Sequence, residues 1–288
     1  MATVSQDTLV QFPRDNAIIG VAGYYVSNEG TQHVIVGLRD GTLTEVYWRS
    51  GQGVHQNTLA TFPTGIVDVG GYFNSDEGSQ HAIVGTRNNE LIELYWQSGQ
   101  GTHQHVLTSF SNNIVGVAGY YVTTEGTQHV IVGTSNDALN EVYWRSGQSV
   151  QQDVLATIPT GIADVGGYFN PAEGSQHAIV GTSDGTLTEV YWLSGQGIHQ
   201  NTLTRFTSSI VGIAGYYVTT EGTQHVIVGT SNGVLTEVYW RSGQSVQQDT
   251  LTTFSNGIVD VGGYFNPGEG TQHAIAGIHD GSLVEVYW

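Results

Sequence analysis

Tryptophan occurs at positions 48, 96, 144, 192, 240 and 288 of this 288-residue chain and nowhere else. The interval never departs from 48, so the chain is six copies of one unit. A fixed period of this size restricts the fold to a solenoid, a propeller or an array. His33, His81, His129, His177, His225 and His273 keep the same interval, as do Glu45, Glu93, Glu141, Glu189, Glu237 and Glu285.

One unit reads as four strands. In the first, strand A covers about 17–26, B 32–38, C 43–48 and D 55–62. Short runs of Val, Ile, Tyr and Thr bounded by Gly, Asn, Asp and Ser carry that signature. No stretch sustains a 3.6-residue period, so almost no helix is predicted. The sequence reaches Trp288 at the end of a C strand, and residues 4–12 (VSQDTLVQF) match the D segment 246–254 (VQQDTLTTF). Residues 1–12 are therefore expected to supply the outer strand of the last unit, closing a ring and removing exposed sheet edges. The reading is one all-β domain over 1–288, a six-bladed β-propeller of four-stranded antiparallel blades. A solenoid is the alternative, disfavoured because its coils are usually shorter and need caps. The units also alternate: odd ones carry GVAGYYV (20–26) and even ones DVGGYFN (68–74), so the true period is 96.

Seven Arg, no Lys and 25 acidic residues give a formal charge of −18. Phosphate backbones and anionic membrane surfaces need clustered cations, so neither nucleic acid nor membrane is an expected partner. No apolar run is long enough to insert in a membrane. The stretch 1–7 (MATVSQD) has neither a basic region nor an apolar run, which reads as no secretory signal. Synthesis in the cytoplasm is expected, with any action on extracellular glycans requiring release. A homo-oligomer is compatible with the sequence.

Candidate chemistry follows from strand pairing. Taking Asp40-Gly41 as a two-residue hairpin turn puts Trp48 opposite His33, and an A–B loop at 27–30 puts Tyr24 opposite His33. The expected row is Tyr24–His33–Trp48, repeated through Tyr264–His273–Trp288, with Glu45 and Tyr47 on the other face. The A–B and C–D loops leave one end of each blade and hold nearly the same residues in every copy, whereas the B–C and D–A loops vary. The patterned rim gives the candidate ligand contacts. From strand B these are Gln32, His33, Gln80, His81, Gln128, His129, Gln176, His177, Gln224 and His225. From strand C they are Trp48, Trp96, Trp144, Trp192, Trp240 and Trp288. The loops after them add Ser50, Gly51, Gln52; Ser98, Gly99, Gln100; Ser146, Gly147, Gln148; Ser194, Gly195, Gln196; and Ser242, Gly243, Gln244. Arg49, Arg145 and Arg241 follow Trp in odd blades only, which predicts two classes of site; no Ser-Gly-Gln follows Trp288.

Pyranose recognition needs an aromatic face for the sugar's C–H patch and convergent polar groups for its hydroxyls, and this set provides both. Weak sites repeated on one rim gain by avidity when the target is also multivalent. The expected partners are thus carbohydrates or glycoconjugates. Packing between blades is the competing reading for Trp and His. Glu45 is either a hydroxyl acceptor or a structural acceptor, since a carboxylate in a strand is costly to bury unpaired. No metal or cofactor is expected, because the six His spaced by 48 are not each accompanied by a second His, a Cys or a close carboxylate at ligand spacing. No catalytic residue is assigned either: there is no Cys nucleophile or Gly-x-Ser-x-Gly elbow, and an enzyme normally uses one asymmetric constellation. Asp68, Asp164 and Asp260 fall on the channel-lining strand, where solvation is expected over a cation.

The pattern QHVIVGT followed by LTEVYW-x-SGQ resembles the repeats of the PLL-type, tectonin-like bacterial β-propeller lectins, and more loosely those of the six-bladed fucose lectins. The resemblance covers the whole chain. It implies pockets between blades that bind fucose or related, sometimes methylated, sugars through the strand C Trp, the Ser-Gly-Gln and the strand B Gln-His. Two departures stand out. PLL-type lectins resemble seven-bladed rings. The six-bladed fucose lectins use an Arg at the start of strand B, where this chain has Val34, or Ala in even blades. Ser183-Asp184-Gly185-Thr186 resembles the Asp-box turn of sialidase propellers, without an evident arginine cluster. The alternative to a lectin is a symmetric scaffold, designed or reconstructed, without a natural ligand.

Overall fold

The computed structural model describes residues 3–288; Met1 and Ala2, part of the 1–12 stretch above, lie outside it. Six four-stranded antiparallel sheets are arranged around a central axis. In blade 1 the strands run Ile18–Val26 (A, innermost), Thr31–Leu38 (B), Thr42–Trp48 (C) and His55–Thr61 (D, outermost). Blades 2 to 5 repeat this order at 48-residue steps. Blade 6 takes its outer strand from Ser5–Gln11, which pairs antiparallel with Ser282–Tyr287. The ring therefore closes by hydrogen bonding between the two ends of the chain, as expected. The one helical turn among the described residues is a 3-10 turn at Arg14–Asn16.

The core lies between blades rather than within one sheet. Each cluster joins strands of one blade to strands A, B and C of the next; Tyr72 and Ile83 of blade 2 meet Val117, Val130 and Trp144 of blade 3 in the one between them. A blade therefore has two inner faces with different jobs. The Gln–Trp face looks back at the preceding blade, and the Tyr–His–Tyr face looks forward to the next.

The expected register fails by one residue at the B–C turn. The loop has three residues, Arg39, Asp40 and Gly41, with Gly41 at φ +87° and its N–H donating to Leu38 O at 2.9 Å. A type I turn followed by a left-handed residue is the common three-residue hairpin. Asn89 and Asp137 take that position in blades 2 and 3, at φ +66° and +67°. Asn and Asp are the non-glycine residues that best tolerate it. Trp48 consequently pairs with Gln32, and His33 with Tyr47. Because side chains alternate, a one-residue shift moves the Trp to the opposite face from the His. The row is Tyr24–His33–Tyr47–His55, stacked at ring separations of 5.4, 5.5 and 5.2 Å.

At the axis, the structure corrects the expectation for Asp68, Asp164 and Asp260: they are buried, not solvated. Each accepts the backbone N–H of the next blade's strand A, Val117, Ile213 and Val21 respectively, at 2.7, 2.6 and 2.5 Å. Odd blades carry Gly20, Gly116 and Gly212 at the same level. A Cβ there would sit 2.9, 2.7 and 2.6 Å from an Asp Oδ1. The axis has room for three carboxylates and no other side chains at that level, which is the packing reason for the 96-residue period.

Candidate functional site

Each rim pocket is built by two blades. The cavity between blades 2 and 3, about 330 Å³, takes His81, Glu93, Tyr95 and His105 from blade 2, and Gln128, Trp144 and Ser146-Gly147-Gln148 from blade 3. Cavities of about 360 Å³ and 580 Å³ repeat the arrangement between blades 3 and 4 and between blades 4 and 5. The expected residues thus do converge, but across a blade boundary. His81 shares a cavity with Trp144, not with Trp96 of its own strand row.

The floor of the pocket is a hydrogen-bonded relay. His33 Nδ1 bonds Glu45 Oε1 at 2.9 Å, and its Nε2 bonds Thr31 Oγ1 at 2.7 Å. The other five blades repeat the His–Glu contact at 2.7–2.9 Å. This pairing explains how a strand tolerates a buried carboxylate at every repeat. The tyrosine of strand A reaches over the blade boundary to the next glutamine amide, with Tyr72 Oη 2.9 Å from Gln128 and Tyr24 Oη 3.1 Å from Gln80. The Gln128 amide satisfies all its neighbours when its nitrogen donates to Tyr72 Oη and Glu93 Oε1 (2.9 and 3.0 Å) and its oxygen accepts from Trp144 Nε1 at 3.3 Å. Gln224 makes the equivalent set with Tyr168, Glu189 and Trp240. These bonds fix each glutamine between an indole and a carboxylate.

The tryptophans differ from the expected open platform. Trp48, Trp96, Trp144, Trp192 and Trp240 are only 5–7% exposed and belong to the interblade clusters, so little of each indole is open to a ligand. Trp288 is more open than these five. The arginines are a second correction. Arg49, Arg145 and Arg241 donate to the backbone carbonyls of Glu29, Glu125 and Glu221 on their own A–B loops. Arg145 and Arg241 are absent from the linings of the three cavities described above. Gln97 makes the same bond to Glu77 O in one even blade, whereas Leu193, which has no donor, lines the cavity between blades 3 and 4.

Tyr47, the loop glutamates and the outer-strand residues escaped the sequence reading, and Glu45, weighed there as an acceptor, was placed on the face away from the His. Glu45, Tyr47 and their equivalents line the cavity because the register shift turns them toward the His. Loop residues Glu77, Glu125 and Glu173 flank it. The outer-strand residue opposite each glutamate also faces it: His105, Asp153 and Asn201 in the three cavities above. Val34, matched against the arginine of the six-bladed fucose lectins, is fully buried in the core; His33 is the strand B residue that meets Glu45.

No protein-family model matches the sequence, and no curated protein does. Solved structures do. The chain resembles the SapL1 lectin in complex with alpha methyl fucoside at 15% identity, over 97% of this chain and 94% of that one, with a TM-score of 0.71. It resembles AofleA from Arthrobotrys oligospora at 14% identity, over 99% and 86%, with a TM-score of 0.70. It also resembles the NanB sialidase from Streptococcus pneumoniae at 10% identity, over 98% and 70%, with a TM-score of 0.73. At these identities the likeness establishes the propeller fold and nothing finer.

Proposed function

We propose that the protein is a multivalent carbohydrate-binding protein whose sites are the interblade pockets. One observation carries the reading: a cavity bounded by an indole, a tyrosine, an anchored amide, a buried carboxylate and a Ser-Gly-Gln loop recurs at three successive blade boundaries on one rim. Carboxylates and amides accept and donate to vicinal hydroxyls, while the aromatic edges meet the C–H face. Neutral sugars such as fucose, or related methylated sugars, suit the set, and the neighbour solved with alpha methyl fucoside supports that class. Single-site affinity near the millimolar level would correspond to about 4 kcal/mol, with avidity raising it on a multivalent target. Repetition of one constellation around the ring supports binding over catalysis, although the sialidase neighbour shares the fold.

Titration calorimetry with methyl α-fucoside, following a glycan array, tests this. The expected result is weak binding with a stoichiometry of several sugars per chain and quenching or shift of indole fluorescence. Silence across neutral monosaccharides and complex glycans would instead favour a symmetric scaffold without a ligand.

A further inference from the structure

The six blade boundaries, three of which show the cavities above, repeat the floor histidine, floor glutamate and loop glutamate, but one facing position varies. The outer-strand residue paired in register with the floor glutamate is Asn57 opposite Glu45, His105 opposite Glu93, Asp153 opposite Glu141, Asn201 opposite Glu189, Asp249 opposite Glu237 and Asp7 opposite Glu285. The three chemistries treat the outer glutamate oxygen differently. His105 Nε2 sits 2.9 Å from Glu93 Oε2, and Asn57 Nδ2 donates to Glu45 Oε2 at 3.4 Å. Aspartate has no proton to give. Tyr143 and Tyr287 instead donate to Asp153 and Asp7, each at 3.2 Å. That turns the floor tyrosine onto the aspartate and leaves two carboxylates opposite each other on one sheet face. Like charges directly opposite in a sheet are destabilising unless something positive or proton-donating lies between them. Glu141 is 5% exposed and borders the cavity, with its Oε1 held by His129 at 2.7 Å.

We propose that this outer-strand residue is the specificity determinant of each pocket, and that the two Asp pockets flanked by Ser50-Gly51-Gln52 and Ser194-Gly195-Gln196 select a sugar bearing a protonated amine. Those two pockets are the ones holding Asp153 with Trp192 and Asp7 with Trp48. The Asn pockets, holding Asn57 with Trp96 and Asn201 with Trp240, carry one carboxylate fewer and take neutral sugars without preference. The inference rests on the carbohydrate-binding reading and adds the charge class of the ligand pocket by pocket. Because Asp153 and Asp7 are exposed to water, the preference is modest, about three- to fivefold.

The one-tryptophan-per-pocket arrangement supplies the assay. The intact chain labelled with 5-fluorotryptophan gives one fluorine resonance per pocket, assigned by single Trp→Phe variants. Methyl 2-amino-2-deoxyglucoside and the matching galactoside are titrated against their N-acetylated, neutral counterparts and methyl α-fucoside. The Trp192 and Trp48 resonances should respond at about three- to fivefold lower concentrations of the amines, a difference that shrinks in high salt. Trp96 and Trp240 should show no such difference. Asp153→Asn should abolish the preference at Trp192 alone, and Asn201→Asp should create one at Trp240. Sugar binding with equal amine response in all pockets, or unaltered by both swaps, overturns this inference and leaves the carbohydrate reading standing. If no resonance moves with any of these sugars, the broader reading fails and takes this one with it.

Discussion

The molecule buries two rings of carboxylates, and they are held in opposite ways. At the axis, Asp68, Asp164 and Asp260 are closed over by backbone N–H groups of the neighbouring blade. Burial pushes Asp68 up to about 7, and it raises Asp164 and Asp260 well above the ordinary aspartate range, with nearby carboxylates adding to the rise. At the rim, burial also pushes Glu93 upward, but hydrogen bonds and charge from His105 and His81 outweigh it and the net shift is down. The axial acids have their hydrogen-bonding partners inside the fold and act as staples. Glu93 is held toward its charged form beside a cavity. Burial of a charge is therefore not what marks the candidate site here; the open cavity and the histidine partner are.

The largest test removes the rim's wall. Trp144→Ala should destabilise the protein by about 3–5 kcal/mol, because the indole is packed among Tyr72, Val130 and Val142. Trp144→Phe should keep most of that stability while altering one pocket. Denaturant melts of both variants check this; equal stability of the wild type and Trp144→Ala would mean the indole contributes little between blades.

The axis offers the next effect, a dependence on pH. Asp68 has a folded pKa raised from the usual aspartate value to about 7. Its contribution is thus fully present below pH ~4 and is lost as pH rises through about 7. A shift of that size corresponds to a few kcal/mol for a fully buried group. Melts from pH 4 to pH 8 should show stability falling over this interval, and Asp68→Asn should flatten the fall. A third contrast is steric. Gly116→Ala puts a Cβ 2.7 Å from Asp164 Oδ1 and 3.0 Å from Val165 N, and should cost about 1–3 kcal/mol. Gly101→Ala, in open space on the rim, should change stability by less than about 0.5 kcal/mol. Similar losses for both glycines would break the distinction between a packed axis and an open rim.

The same contrast shows what could be read in the amino-acid order. Period, strand number and ring closure were legible because Trp48 to Trp288 mark every blade and residues 4–12 repeat the D-strand pattern. That the site straddles two blades was legible only through the resemblance. The face of each site residue was not, because Asp40-Gly41 is compatible with both a two-residue and a three-residue hairpin, and the choice reverses Trp48 relative to His33. The role of Asp68 was hidden for another reason. Its partners are backbone amides of Val117 and Val69, which carry no side-chain signature. The outer-strand series Asn57, His105, Asp153 was visible as variation but gained meaning only when register set it opposite Glu45, Glu93 and Glu141.

The smallest effect separates axis from rim by the direction of their pH responses. His105 is raised above 6.5, chiefly by its hydrogen bond to Glu93 and against the opposing effect of partial burial. Glu77, Glu93, His81 and Tyr95 are the titratable groups around it, while the facing side of blade 3 presents Gln128 and Trp144. Its contribution is present below about pH 6.5 and lost as pH rises through the raised value. The lowered Glu93 works in the other sense: its contribution is present above about pH 4.3 and is lost as pH falls through the folded value. The pair therefore stabilises most between those limits, whereas the axial aspartates favour still more acid. The His105 side chain is nearly half exposed, so screening holds its share to a few tenths of a kcal/mol. The difference in stability between wild type and His105→Asn, measured across pH 3 to 9, should form a shallow maximum near pH 5–6. A difference that rose steadily toward acid would mean the rim histidine behaves like the axial carboxylates, and the contrast between the two rings would fail at this blade.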